Sequence, residues 1–232
     1  MMNFVWASFA QGKISMLFPE NIKAVIFDMD GTLLNTEPLH AKAIEEILKE
    51  NGHHLSVEEI EKKFYGVSDT EVFEAFSKIL PFDLKTFLEK KNKLIKDLIQ
   101  KYNKEDFKKL LTPGILEFIE ELKKRKITIA LVSASENEVV EAIITHLHLK
   151  NDFAFLVSRQ HTHLSKPHSS PYFYALRLLK IKVEEALIFE DSPAGITAAL
   201  GTGAKVIQVT AFSPALTNMI ELRIDHFSRI TF

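Results

Sequence analysis

An α/β fold is predicted: a doubly wound parallel sheet with an α-helical domain inserted after its first strand. Three observations predict it. Short apolar runs recur at 24–27, 127–132, 153–157, 186–189 and 205–209, each continuous rather than alternating, as strands covered on both faces read. Amphipathic stretches separate the later runs, and strands alternating with helices imply right-handed crossovers in a parallel sheet. The stretch between the first two runs is too long for one crossover and reads as helical throughout.

Taken in order, residues 1–20 precede this pattern. The segment from Asn3 to Ala10 is apolar but short, and no basic residue precedes it, so it makes a poor signal peptide. Met16 is an alternative start, and a loosely packed N-terminal extension is expected. The sheet domain takes 21–35 and 111–232. The inserted domain takes 36–110, with helices at 38–50, 57–64, 69–80 and 84–102 and breaks at Gly52 and Pro81. Helices of the sheet domain are expected at 113–124, 136–146, 171–179 and 193–200. Thr112-Pro113, Ser192-Pro193 and Ser213-Pro214 each pair a capping residue with proline at the first helical position. Ser135 and Glu138 have the spacing of a capping box. The tail, 213–232, reads as a final helix and a short edge strand.

Bulk properties narrow the function. The 232 residues are 46% hydrophobic, enough for a substantial core, and most of the 18 phenylalanines belong in it. A net charge of −2 gives no reason to expect nucleic acid or membrane as a partner. The absence of cysteine excludes disulfides, thiolate metal sites and cysteine catalysis, and fits a cytoplasmic protein. No apolar run is long enough to span a bilayer.

The chemistry gathers at the strand ends. Asp28 and Asp30 sit one residue apart where the first strand meets a glycine turn, in Phe27-Asp28-Met29-Asp30-Gly31-Thr32. Clustered carboxylates need compensation, commonly a divalent cation. A carboxylate beside a metal can act as nucleophile while its neighbour moves protons. Ligands in open parallel sheets bind outside the carboxyl ends of the strands. That edge collects Asp28 and Asp30, then Ser133 and Ser135, Lys166-Pro167, and Glu190-Asp191. Acids, a hydroxyl and a lysine on one edge point to metal-assisted phosphoryl chemistry.

In this order the motifs resemble the haloacid dehalogenase-like hydrolase superfamily. They are Asp28-x-Asp30-Gly31-Thr32, Ser133, Lys166-Pro167 and Glu190-Asp191-Ser192-Pro193-Ala194-Gly195. The subgroup it looks most like contains β-phosphoglucomutase and sugar-phosphate phosphatases, through Glu37 to His40, Gly66 to Ser68 and Ser133 to Asn137. The resemblance implies a Rossmann-like core with a helical cap. It implies Asp28 as the nucleophile that becomes an aspartyl phosphate and Asp30 as the acid and base. It implies Mg2+ held by Asp28, the Asp30 carbonyl and Asp191, with Glu190 a further ligand, direct or through water. Ser133 and Lys166 would bind the phosphoryl oxygens. His40, Gly66, Ser68 and Asn137 would contact a small phosphorylated substrate, with residues 65–69 setting selectivity. A monomer or weak dimer is expected.

Several positions depart from the family. The usual Gly-Lys-Pro-x-Pro-Asp becomes Ser165-Lys166-Pro167-His168-Ser169-Ser170, and Asn35 replaces an aspartate. Asp69 stands where the mutase has a phosphate-holding arginine, and Glu136 where it has a lysine. Both would repel a second phosphate. A phosphatase acting on a sugar or polyol phosphate is therefore favoured over a mutase, and over a non-catalytic phospho-ligand binder, since no motif acid is lost. Asp30 argues against a dehalogenase, in which halide leaves without a proton. His161, His163 and His168 are read as a solvated loop rather than a metal cluster. The lysines of 85–109 are read as a solvated helix face.

Overall fold

The computed structural model describes residues 7–10, 13–212, 218–220 and 222–232. In chain order the elements are β1 (Ala7–Ala10), β2 (Lys13–Leu17), β3 (Ala24–Phe27), α1 (Glu37–Glu50), α2 (Val57–Phe64), α3 (Asp69–Phe76), α4 (Leu84–Lys101), α5 (Lys104–Lys108) and α6 (Ile115–Lys124). There follow β4 (Thr128–Val132), α7 (Asn137–His146), β5 (Phe155–Val157), α8 (Ser170–Leu179), β6 (Ala186–Glu190), α9 (Pro193–Leu200), β7 (Lys205–Val209), β8 (Arg223–Ile224) and β9 (Ile230–Thr231). They form two compact units. One holds the described residues up to Leu34, Leu111–Ala134 and those from Asn151 onward; the other holds Asn35–Leu110 and Ser135–Lys150.

The first unit is built on a parallel sheet of order β5-β4-β3-β6-β7-β8. Phe27 pairs in register with Leu131 on one side and Phe189 on the other. The apolar runs form strands because both faces are covered. On one face Ile26, Ala130 and Ile188 pack with Tyr172, Ala175 and Ile196 of α8 and α9. Phe27 and Phe189 stack with ring centroids 5.3 Å apart, and Phe118 and Phe227 close on them. Strand order reverses about β3, which places the ends of β3, β4 and β6 at a topological switch point.

The second unit is helical, with a core that includes Ile44, Ile47, Leu48, Phe64, Phe76 and Phe87. Ser56 and Ser68 open α2 and α3 with capping boxes to Glu59 and Glu71. α7 follows β4 in the chain, yet it groups with the inserted helices, and Lys96 of α4 meets Glu138 of α7 at 2.5 Å.

Some local expectations fail for identifiable reasons. α6 starts at Ile115, with Gly114 as its N-cap at φ +79°. A Cβ at Gly114 would lie 2.9 Å from the Ser228 nitrogen, and the Thr112 hydroxyl donates to the Thr32 carbonyl at 2.6 Å instead of capping. α7 starts one residue later than the Ser135 box requires, with Glu136 at the N-cap and no side-chain cap bond. The extension expected as loosely packed carries β1 and β2, and β2 pairs in parallel with β9. Met16 and Phe18 are buried, and Phe18 stacks on Phe232 at 4.7 Å. The edge strand expected in the tail is β8, beside β7. The helix start at Ser213-Pro214 lies outside the described residues. Among the described residues no helix is long and apolar enough to cross a membrane.

Candidate active site

Six strand-end residues meet in the first unit. β3 delivers Asp28, whose N–H donates to the Phe189 carbonyl at 2.9 Å. Asp30 lies in the turn that follows, closed by the Gly31 N–H donating to the Leu34 carbonyl at 2.8 Å. β4 delivers Ser133, whose hydroxyl donates to Asp30 Oδ2 at 3.0 Å. β6 ends on Glu190, and Asp191 follows it. Lys166, joined to Pro167 by a cis peptide bond, brings its ammonium to Asp28 Oδ1 at 2.5 Å, Glu190 Oε1 at 2.7 Å and the Val132 carbonyl at 3.0 Å. The departures in the Lys166 loop therefore leave the lysine in the cluster.

Two glycines make the close approach feasible. Gly31 has φ +89°, and a Cβ there would lie 2.2 Å from Asp191 Oδ2. A Cβ on Gly195 would lie 1.7 Å from Glu190 Oε1. Both positions need the missing side chain for space, and Gly31 also for its left-handed backbone.

The acids are not equivalent. Glu190 is fully buried and its carboxylate is saturated. Oε1 accepts Lys166 and the Tyr172 hydroxyl at 2.8 Å; Oε2 accepts the Asp191 N–H, the Ser192 N–H and the Ser192 hydroxyl at 3.0–3.2 Å. Asp28 Oδ2 is buried with no hydrogen-bond partner. Asp191 Oδ1 accepts only the Thr32 hydroxyl, at 3.4 Å. Burial, with the charges of Glu190, Asp191 and Asp30, holds the Asp28 carboxyl well above the usual range, against the pull of Lys166. Burial and then Glu190 push Asp191 up to about 8. Burial alone would lower Lys166, but the charges of Asp28 and Glu190 outweigh it and keep the ammonium protonated.

One lysine cannot balance these carboxylates. Asp28, Glu190 and Asp191 offer oxygens within 4.8 Å of one another, all three residues buried. An orphaned buried carboxylate oxygen among oxygen donors fits a hard divalent cation, which would restore the ionised forms. Asp28 and Asp191 have oxygens to spare for it; Glu190 is committed to Lys166, Tyr172 and the loop.

The expected substrate contacts lie in the helical unit. His40 Nδ1 is 3.1 Å from Lys91 Nζ. The Gly66 N–H donates to Glu37 Oε1 at 3.1 Å, Ser68 caps α3, and Asn137 is the first residue of α7. Lys91 corrects the solvated-face reading of α4: its side chain is buried and ion-paired to Asp69. Asp69 therefore does not present an unbalanced charge. The three loop histidines form no metal cluster among the described residues. Tyr172 was not foreseen. The available signal was a tyrosine on the apolar stripe of α8, since a buried phenol needs a partner for its hydroxyl.

Comparison with known proteins follows the same residues. The family model for haloacid dehalogenase-like hydrolase matches residues 25–209, from β3 through β7. The chain belongs to the haloacid dehalogenase-like hydrolases. As a member it is an enzyme of the phosphatase class of hydrolases. It is 29% identical to a phosphorylated carbohydrates phosphatase of Thermotoga maritima, over 80% of this chain and 84% of the relative. It is 27% identical to the β-phosphoglucomutase of Bacillus subtilis, over 84% of this chain and 86% of the relative. Among solved structures, CbbY of Rhodobacter sphaeroides in complex with phosphate superposes with a TM-score of 0.76 at 25% identity, covering 89% of this chain and 95% of that one.

Proposed function

We propose that this protein is a Mg2+-dependent phosphatase of small phosphorylated metabolites, sugar or polyol phosphates, working through an aspartyl phosphate on Asp28. One observation carries the reading: Asp28 Oδ2, buried and unpartnered, among carboxylates at the carboxyl ends of a parallel sheet. The phosphatase relatives support the reaction class.

Asp28 attacks phosphorus, and its new O–P bond forms as the bond to the ester oxygen breaks. Asp30 gives the departing alkoxide its proton, then takes one from the water that hydrolyses the acyl phosphate. The Ser133 hydroxyl, which donates to Asp30 Oδ2 at 3.0 Å in the free site, would turn its one proton to a phosphoryl oxygen of the bound substrate. Lys166 offsets charge on the equatorial oxygens as the transition state forms. Glu190 holds Lys166 in place. Mg2+ held by Asp28, Asp191 and the Asp30 carbonyl would screen the repulsion between anionic nucleophile and anionic substrate. His40, Gly66, Ser68 and Asn137 are the proposed substrate contacts.

Phosphate release from a panel of sugar and polyol phosphates, with Mg2+ and with chelator, tests the proposal. Mg2+-dependent release supports it. The panel includes β-glucose 1-phosphate, followed for conversion to glucose 6-phosphate, because the Asp69–Lys91 pair weakens one argument against a mutase. Clean isomerisation without release would replace the phosphatase reading with the mutase one.

A further inference from the structure

The loop that carries Lys166 departs from the usual pattern at Ser165, His168, Ser169 and Ser170, yet the lysine is firmly placed. Its three ammonium protons meet three acceptors: Asp28 Oδ1 at 2.5 Å, Glu190 Oε1 at 2.7 Å and the Val132 carbonyl at 3.0 Å. The ammonium also lies over the ring of Tyr172, 5.1 Å from the ring centroid. Tyr172 is the third residue of α8, fully buried in the cluster that includes Ile26, Val132 and Ile188. Its hydroxyl donates to Glu190 Oε1 at 2.8 Å, the oxygen that also accepts Lys166. One side chain thus meets the lysine twice, directly through its ring and indirectly through Glu190.

These contacts do not all keep their strength through the reaction proposed above. Once Asp28 carries the phosphoryl group, its other oxygen is the neutral carbonyl of an acyl phosphate and no longer holds a cation by charge. The Val132 carbonyl is a neutral acceptor throughout. Glu190 keeps its charge, and the face of an aromatic ring attracts a buried cation at every stage. Both of these lasting contacts run through Tyr172.

We propose that Tyr172 is a positioning residue for Lys166. Its ring seats the ammonium, and its hydroxyl fixes the Glu190 carboxylate that pairs with it, in the phosphoenzyme as in the free site. The kinetic consequence rests on the phosphatase reading; the placement of Lys166 does not.

The full-length chain labelled with 13C,15N-lysine gives the first readout, with Lys166 assigned by the absence of its signals in Lys166→Arg. Protons over an aromatic face resonate upfield. The side-chain proton signals of Lys166 should lie upfield of those of the other lysines, keep that shift in Tyr172→Phe and lose it in Tyr172→Leu. The second readout is turnover with Mg2+ on the best substrate of the panel. Lys166 acts on charge that develops in the transition state, so kcat should fall while KM stays. The fall should be about fivefold in Tyr172→Phe, which loses the hydroxyl, and at least about twentyfold in Tyr172→Leu, which loses the ring as well. If Tyr172→Leu does not fold, the upfield shift in wild type and the fall in kcat in Tyr172→Phe carry the test. Lys166 signals at the ordinary lysine position in wild type, an upfield shift that persists in Tyr172→Leu, or wild-type kcat in Tyr172→Phe would overturn the proposal. A wild type that releases no phosphate would fail the phosphatase reading instead, and the Lys166 signals alone would then decide this one.

Discussion

At the scale of single residues, the site divides the work among chemically similar groups by how each is hydrogen-bonded. Asp28 keeps one oxygen on Lys166 and one unpartnered, whereas both oxygens of Glu190 are occupied. Asp28→Asn should therefore lower turnover by at least about a thousandfold while circular dichroism stays native. Activity near wild type would remove the nucleophile assignment. Tyr172→Phe should cost stability of about 1 kcal/mol, because Glu190 Oε1 loses one donor but keeps Lys166. Urea denaturation measures it, and burial holds the phenol well above its ordinary pKa, so the effect should not change across neutral pH. Gly195→Ala tests space rather than bonding. A methyl 1.7 Å from Glu190 Oε1 must displace the carboxylate that holds Lys166. It should destabilise by about 1–3 kcal/mol and reduce turnover as well.

At the scale of elements, the strands were legible because burial on both faces leaves unbroken apolar runs, and most of the clustered polar groups (Asp28, Asp30, Ser133, Glu190 and Asp191) were legible because they stand at the ends of those runs, whereas Lys166 reaches them from a loop nine residues past β5. Helix ends were less so. A cap depends on backbone dihedrals, and the displacement of the α6 start to Gly114 follows from the approach of Ser228, more than a hundred positions later in the chain. The burial of Lys91 was equally hidden, since its partner Asp69 is on another helix and the neighbouring lysines of α4 are solvated. α7 offers a test at this scale. The ring of His146 packs edge-on to Phe107 at 4.6 Å, and its Nε2 is buried without a partner. Burial first, then His148 and Lys104, lower its pKa below 6.5. A base whose folded pKa is lowered destabilises the fold as pH falls, because the unfolded chain takes the proton first. Stability should decline from about pH 6.5 downward until the folded pKa is passed. His146→Phe should flatten that part of the curve in denaturation series across pH; an unchanged slope would place the titration elsewhere.

At the scale of the whole molecule, two units with separate cores share one chain, and the strand-end cluster belongs wholly to the sheet unit. That unit holds its excess of buried carboxylates at a cost to its own stability. Asp191, raised to about 8, and Asp28, raised well above its ordinary range, are the measure of that cost. A divalent cation bound to the folded form and not to the unfolded chain should repay it by mass action. At a hundred times its dissociation constant the gain is about 2.7 kcal/mol, which in a chain of this length raises Tm by about 5–10 °C. The rise should appear with Mg2+ and not with sodium chloride at equal ionic strength. Asp191→Asn removes a spare ligand oxygen and one of the repelling charges together. It should melt higher than wild type in chelator and gain little from Mg2+, so the two melting curves cross as the ion is added. A variant whose Tm still climbs with Mg2+ as wild type does would move the cation away from Asp191, and with it the argument that these carboxylates are clustered to hold one.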